Sequence, residues 1–365
     1  MATLAPLRFS ELPIADPITG LEDIHVLQSG TNKLSTSETV KAWIEAGLGV
    51  GVFAKSDAEI VSFTKTGNGT ATTSQKLWVE VGGKILEINA STAITMPTFT
   101  AGTDYAVWVK TDGSLEATSN FSSPPETGAR SIGGFHYAPG GNATAQSGGD
   151  TTAQINQYSF WDLKWRPMSQ DPRGMTLVAG GFWSDIYLLG VDHYTNGTSK
   201  YNVTIADGAA PPKIPAAFGG NGSTAYANGN WWTMAEVGKA YGKRLPTYSE
   251  FSALAYGTTE ASSGGTDPVS TILRQAYTSK WGVMLSTGNM WHWGDEFGGP
   301  YLGASWVANT GGRGSTYNLS NAVILGGIWN AGAYSGSRAS YWELSTANSG
   351  IAEGARLVCD HLKIY

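Results

Sequence analysis

Between Val323 and His361 the chain reads VILGGIWNAGAYSGSRASYWELSTANSGIAEGARLVCDH, and no other stretch constrains the fold as much. Gly326, Gly327, Trp329, Gly336, Arg338, Trp342, Gly354 and Arg356 are residues that fix a backbone by turning, packing or hydrogen bonding. Between them sits a chemically arbitrary set. Ile328, Asn330, Gly332 and Tyr334 share a period of two, so in an extended segment their side chains project to one face while Trp329 turns the other way. One face reads as scaffold and the other as display. On that division Arg338 and Arg356 are expected to anchor loops by donating to backbone carbonyls, because guanidinium carries five donors in a fixed fork, and Trp329 and Trp342 are expected to pack inward.

Composition narrows the class. The 365 residues predict two or three domains at about 150 residues each. Charged residues make up 14%, against about 25% in ordinary soluble proteins, while glycine numbers 48 and tryptophan 14, which favours loops, tight turns and aromatic packing over long charged helices. A net charge of -6 gives no basic footprint, so nucleic acid is not an expected partner. No stretch reaches the roughly 20 consecutive apolar residues of a membrane span, and Met1 to Phe9 (MATLAPLRF) lacks the basic and apolar regions of a signal peptide. Neither membrane insertion nor secretion is expected.

Chemical signatures are sparse. Cys359 is the single cysteine, which excludes an intrachain disulfide, and its neighbours Leu357, Val358 and Leu362 predict a strand with an inert, buried thiol. The chain has no HExxH, CxxC, P-loop or GxGxxG run, and no two of its five histidines fall at metal-ligand spacing. His292, between Trp291 and Trp293, is expected to be a structural histidine packed on aromatics. The EPN and QPD tripeptides of calcium-dependent sugar sites are missing. Asp295, Glu296 and Asp185 offer carboxylates to a structural cation, but carboxylates on loops are more often simply solvated. No cofactor and no catalytic group are expected.

Along the chain, residues 1 to 52 form a short leader, too small to bury a stable core alone, so self-association is expected to supply the missing burial. Ser35 and Glu38 make a capping box ahead of Val40, Trp43 and Ile44 at helical spacing. Residues 53 to 170 read as a β-sandwich domain: Leu77, Val79 and Val81 alternate into Gly82-Gly83, followed by Ile85 and Ile88, and Tyr105 to Val109 repeats the pattern through Asp112-Gly113 to Leu115. Ala138 to Thr152 reads as a flexible connection. From 171 to 365 two short helices are predicted: Trp232 to Tyr241, with Met234, Val237 and Tyr241 on one stripe, and a second capped by Thr247 and Glu250 with Phe251 and Leu254 inward. Eleven of the fourteen tryptophans lie at or after Trp161, so this last domain is the aromatic-rich one.

The segment 323 to 361 resembles the variable region of the phage major tropism determinant family, receptor-binding tail proteins rewritten by a diversity-generating retroelement. The resemblance extends upstream through TAGTDYAVWV, TTAQINQYSFWDLKWRP, DPRGMTLVAGGFWSDIYLLGV, GKRLPTYSEFSALAYGTTEA and ANTGGRGSTY, roughly residues 53 to 365. It implies a mixed fold: a β-rich, β-prism-like attachment and trimerisation segment, the β-sandwich, and an α+β C-type lectin fold of the formylglycine-generating-enzyme type. Enzymes of that type act through a cysteine pair, which one cysteine cannot supply. The resemblance implies a homotrimer on the distal tail fibre of a virion, made in the host cytoplasm, that contacts other tail proteins and binds a bacterial surface protein or glycan. Carried over residue by residue, the variable positions fall on Ile328, Asn330, Ala331, Gly332, Tyr334, Tyr341, Glu343, Leu344, Asn348, Gly350, Ala352 and Glu353, with Trp329, Arg338, Trp342 and Arg356 as their scaffold. The alternatives are a lectin-type adhesin with a fixed glycan pocket and a degenerate enzyme.

Overall fold

The computed structural model describes residues 23–28, 31–36, 51–298, 306–308, 313, 315–317 and 321–364. The chain divides into two compact units, Met1–Val52 and Phe53–Tyr365. In the first, β1 (Asp23–Gln28) and β2 (Thr31–Thr36) pair antiparallel. Ser35, expected to cap a helix, lies in β2; the rest of that expected helix falls outside the described residues.

The second unit begins with β3 (Phe53–Lys55), β4 (Phe63–Gly67), β5 (Thr70–Thr73), β6 (Leu77–Val81), β7 (Lys84–Ile88), β8 (Ile94–Thr95), β9 (Thr103–Val109), β10 (Leu115–Thr118), β11 (Arg130–Ala138), β12 (Gln154–Ile155) and β13 (Trp161–Asp162). The alternation in β6 buries Leu77, Val79 and Val81. Gly82 and Gly83, at φ +58° and +77°, supply the left-handed turn into β7 that side-chain-bearing residues resist. Sheets β3-β6-β7 and β12-β11-β9-β10-β8, the second extended by β13, close over Leu77, Val107, Ile132, Phe135 and Ile155. Each such side chain contributes about 1.5–3 kcal/mol when fully buried.

The C-terminal half comprises β14 (Trp165–Pro167), β15 (Met175–Val178), β16 (Phe182–Asp185), a helical turn α1 (His193–Asn196), α2 (Trp231–Ala240), α3 (Tyr248–Leu254), β17 (Trp291–Phe297), β18 (Trp306–Ala308), β19 (Ser315–Tyr317), β20 (Asn321–Leu325), β21 (Ser340–Ser345), β22 (Glu353–Gly354) and β23 (Val358–Lys363). Both longer helices carry capping boxes. Asn230 and Thr233 bond reciprocally at α2, and at α3 the Glu250 amide donates to Thr247 Oγ1 while the Thr247 amide donates to Glu250 Oε2 at 2.9 Å. Their inner faces place Met234 and Val237, then Phe251 and Leu254, against Trp293, Val323, Leu325 and Leu357. Strand order is β14-β23-β16-β15 in one sheet and β21-β20-β17-β22 in the other.

Several contacts join the sandwich to the C-terminal half. Trp161, Met175, Trp183 and Cys359 form one buried cluster, in which burial pushes the Cys359 thiol up. His136 sits with Nδ1 2.9 Å from Asp104 Oδ1 and Nε2 2.9 Å from the Tyr187 hydroxyl. The connection from 138 to 152, expected to be flexible, is a packed element instead. Ala143, Gly148 and Gly149 donate to the carbonyls of Ser279, Gly257 and Gln275 at 2.8 to 3.1 Å, and Gly148 holds φ +82° where a β-carbon would run into the Gln275 carbonyl. Glycine serves close backbone approach here, and the approach fixes the loop.

Candidate functional site

The display segment hangs on the sheet β21-β20-β17-β22, whose inner strand β20 is buried along its whole length. β21 forms one edge, where Tyr341 pairs with Ile324 and Leu344 with Ala322. β22 forms the other, parallel to β17 through Trp291–Glu353 and His292–Gly354.

Residues 326 to 339 form a cinched loop between β20 and β21. Its neck is closed by Gly326 N–H to the Ala339 carbonyl at 2.9 Å and Gly336 N–H to the Gly326 carbonyl at 3.1 Å. The expected extended run from Ile328 to Tyr334 does not form. Ile328 makes one bridge to Asn289, residues 329 and 330 turn, and Gly332–Tyr334 is a 3₁₀ turn. A second segment sets this course: the Gly265 amide donates to the Trp329 carbonyl at 2.7 Å, the Gly332 amide to Ser263 Oγ at 3.0 Å, and the Ser337 amide to Glu260 Oε2 at 2.9 Å. Tyr334 is left 85% exposed, Asn330 is exposed, and Ile328, Ala331 and Gly332 are half-buried.

On β21, Tyr341 and Glu343 are exposed while Leu344 is half-buried against the core. Trp342, expected to pack inward, is exposed. The register steps from Ala322–Leu344 to Ile324–Tyr341, so β21 carries one extra residue there and the alternation that would turn Trp342 inward is broken. Its ring meets Tyr248 edge-on at 5.9 Å, and its Nε1 donates to Ser340 Oγ at 3.0 Å. Arg338, expected to anchor a loop through its side chain, is exposed, and only its carbonyl is engaged, by the Tyr248 hydroxyl at 3.0 Å. Trp329 is half-buried.

The return to β22 is a coupled cluster. Asn348 Nδ2 donates to Glu353 Oε2 at 3.0 Å, and the Gly350 carbonyl accepts from Gly208 N–H at 2.9 Å. A side chain at Gly350 would meet the Glu353 carboxylate. Glu353 itself, expected on the display face, is 7% exposed, because its backbone pairs with the buried strand β17. Burial raises its carboxyl above the ordinary glutamate range. Asn348, Gly350 and Ala352 are half-buried.

Beneath both loops Arg356 is fully buried and donates to the carbonyls of Asp185, Ile186 and Met284. Burial lowers its guanidinium to about 9, opposed by Asp185. Asp185, one of the carboxylates offered to a cation, is bound by Lys243 Nζ at 2.6 Å, and the Glu296 carboxylate accepts the Tyr248 amide that opens α3. His292 is buried edge-on to Phe251 at 5.2 Å, with Nε2 3.2 Å from the Leu285 carbonyl, and burial holds it well below the ordinary histidine range. Among the described residues no three His, Cys, Asp or Glu side chains group as metal ligands. Glu260, Ser263 and Gly265 hold the display loop from about seventy residues away, and no local pattern in the sequence marks them.

Residues 61–162 match the family model described as the Mtd second domain. The tail fiber receptor-binding protein of Bordetella phage BPP-1 is 57% identical over 322 residues, covering 85% of this chain and 84% of that protein. The I1 and U1 variants of the major tropism determinant align at TM-score 0.85 with 56% and 55% identity, covering 87% of this chain and 88% of each. The β-rich architecture with few helices is the mixed α+β, C-type lectin fold of those structures. Identity of this extent over most of both chains places this protein in the major tropism determinant family.

Proposed function

We propose that this protein is the receptor-binding component of a phage tail: a homotrimer carried on the virion's tail fibre, each subunit presenting the exposed side chains between residues 328 and 353 to a protein or glycan on the bacterial surface. The observation that carries the reading is the division of labour in the display loop. Its backbone is fixed by bonds from Glu260, Ser263 and Gly265, while Tyr334, Asn330, Tyr341 and Glu343 project outward without supporting that backbone. A surface built this way accepts substitution without unfolding, as retroelement diversification of its codons requires. Interfaces draw most of their energy from a few aromatic and arginine side chains, and Tyr334 and Tyr341 are the aromatic groups of this set. Three copies convert weak single contacts into avidity through effective concentration.

The test is paired. Tyr334→Ala and Tyr341→Ala should each leave folding within about 0.5 kcal/mol, as surface changes do. At a hot spot, each should also weaken receptor binding by about 2 kcal/mol, roughly thirtyfold. Normal adsorption by both variants, with loss on substituting Asp295 instead, would place the site elsewhere. Diversification has its own test: the adjacent DNA should hold a near-copy of the segment differing at adenines, beside a reverse-transcriptase frame.

A further inference from the structure

A groove of about 580 Å³ runs beside the display loop, between the outer face of α3, the turn at Ser337 and Arg338, and the ring of Trp281. Its walls are locked to one another. Trp281 Nε1 donates to the Ala253 carbonyl at 2.9 Å, the Lys280 amide to the Tyr256 carbonyl at 2.8 Å, and the Tyr248 hydroxyl to the Arg338 carbonyl at 3.0 Å, while Glu260 Oε2 holds the Ser337 amide. These bonds leave several other lining side chains unspent. The hydroxyls of Ser252, Tyr256 and Ser337, the amide of Gln146 and the guanidinium of Arg338 line the groove with no hydrogen-bond partner among the described residues. Tyr256 is 49% exposed, and Lys280 Nζ stands 5.2 Å from the Trp281 ring.

A rigid concavity of this size, with a few convergent polar groups and aromatic surface, has the form of a small-ligand site. Hydroxyls and an amide that both donate and accept, set beside an exposed aromatic ring, match a sugar, which has hydroxyls around its rim and an apolar face. Arg338 is the cation of the lining, while the Glu260 carboxylate is engaged through Oε2 by the Ser337 amide and its Oε1 is closed to solvent. Guanidinium pairs with carboxylate through two parallel bonds. We propose that this groove is a fixed binding site for an acidic saccharide, a sugar bearing a carboxylate, separate from the variable positions and unchanged when they vary. No proposed variable position lines it.

The test uses the full chain with oligogalacturonate and oligosialate as acidic probes and maltooligosaccharide as the neutral control, read by calorimetry and saturation-transfer NMR. The acidic probes should bind about tenfold or more tightly than the neutral one. Arg338→Ala should remove that preference, Ser252→Trp should block the groove, and Tyr334→Ala should change neither, with melting curves confirming each fold. Arg338→Ala, at an exposed position, decides the matter alone if Ser252→Trp misfolds. Failure of every sugar to bind, as for a groove that takes an acidic peptide, overturns the proposal. So does equal affinity for acidic and neutral probes, retention of binding in folded Ser252→Trp, or loss in Tyr334→Ala. No host receptor enters this assay, so its outcome is independent of the receptor reading.

Discussion

Arg356 serves three backbone carbonyls, those of Asp185, Ile186 and Met284, from a position closed to solvent. Removing it strands buried acceptors and leaves Asp185 one cation fewer, so Arg356→Ala should cost about 3–5 kcal/mol in denaturant unfolding, the range for breaking a buried charged network. Glu353 makes the opposite kind of statement. Its folded carboxyl is raised above the ordinary glutamate value, so the folded chain binds the proton more tightly than the unfolded one. The contribution of this one group to stability is then greatest in acid and falls as pH rises from the ordinary glutamate value through the raised one. Glu353→Gln should melt with the parent in acid and above it at neutral pH; parallel melting curves across that range would show that the carboxylate is not strained by burial. Gln keeps the acceptor for Asn348 Nδ2, so the comparison isolates charge.

Among the elements, the stretch from 138 to 152 changed most between sequence and structure. Gly148→Ala would force φ +82° on a residue with a β-carbon and drive that carbon into the Gln275 carbonyl, so it should lower stability by about 1–3 kcal/mol in a thermal melt. A plain linker would tolerate it. Elements decided by near neighbours were legible: the Gly82-Gly83 hairpin, the Thr247–Glu250 cap, and the inward stripe of Met234 and Val237 all depend on residues within a few positions. The path of 328 to 334 was not, because its period of two is overridden by Ser263 and Gly265, distant in sequence and silent in composition. The exposure of Trp342 has a related cause, since a bulge is a property of two paired strands and the sequence of β21 alone does not disclose it.

For the whole molecule, the proposed assembly is a trimer, and light scattering at micromolar concentration should return three times the chain mass; a monomer would remove the avidity argument. β23 follows residues 328 to 353 in the chain but lies in space between β14 and β16, which precede them, and Val358 bridges back to Arg244. A segment that acquires a stop codon or a shifted reading frame deprives both strands of their shared neighbour and empties the pocket that Arg356 fills. If the codons of residues 328 to 353 are diversified as proposed, closure of the sheet acts as a reading-frame check: copies that lose the frame lack β23 and cannot complete the fold, and host encounter is reserved for variants that kept it.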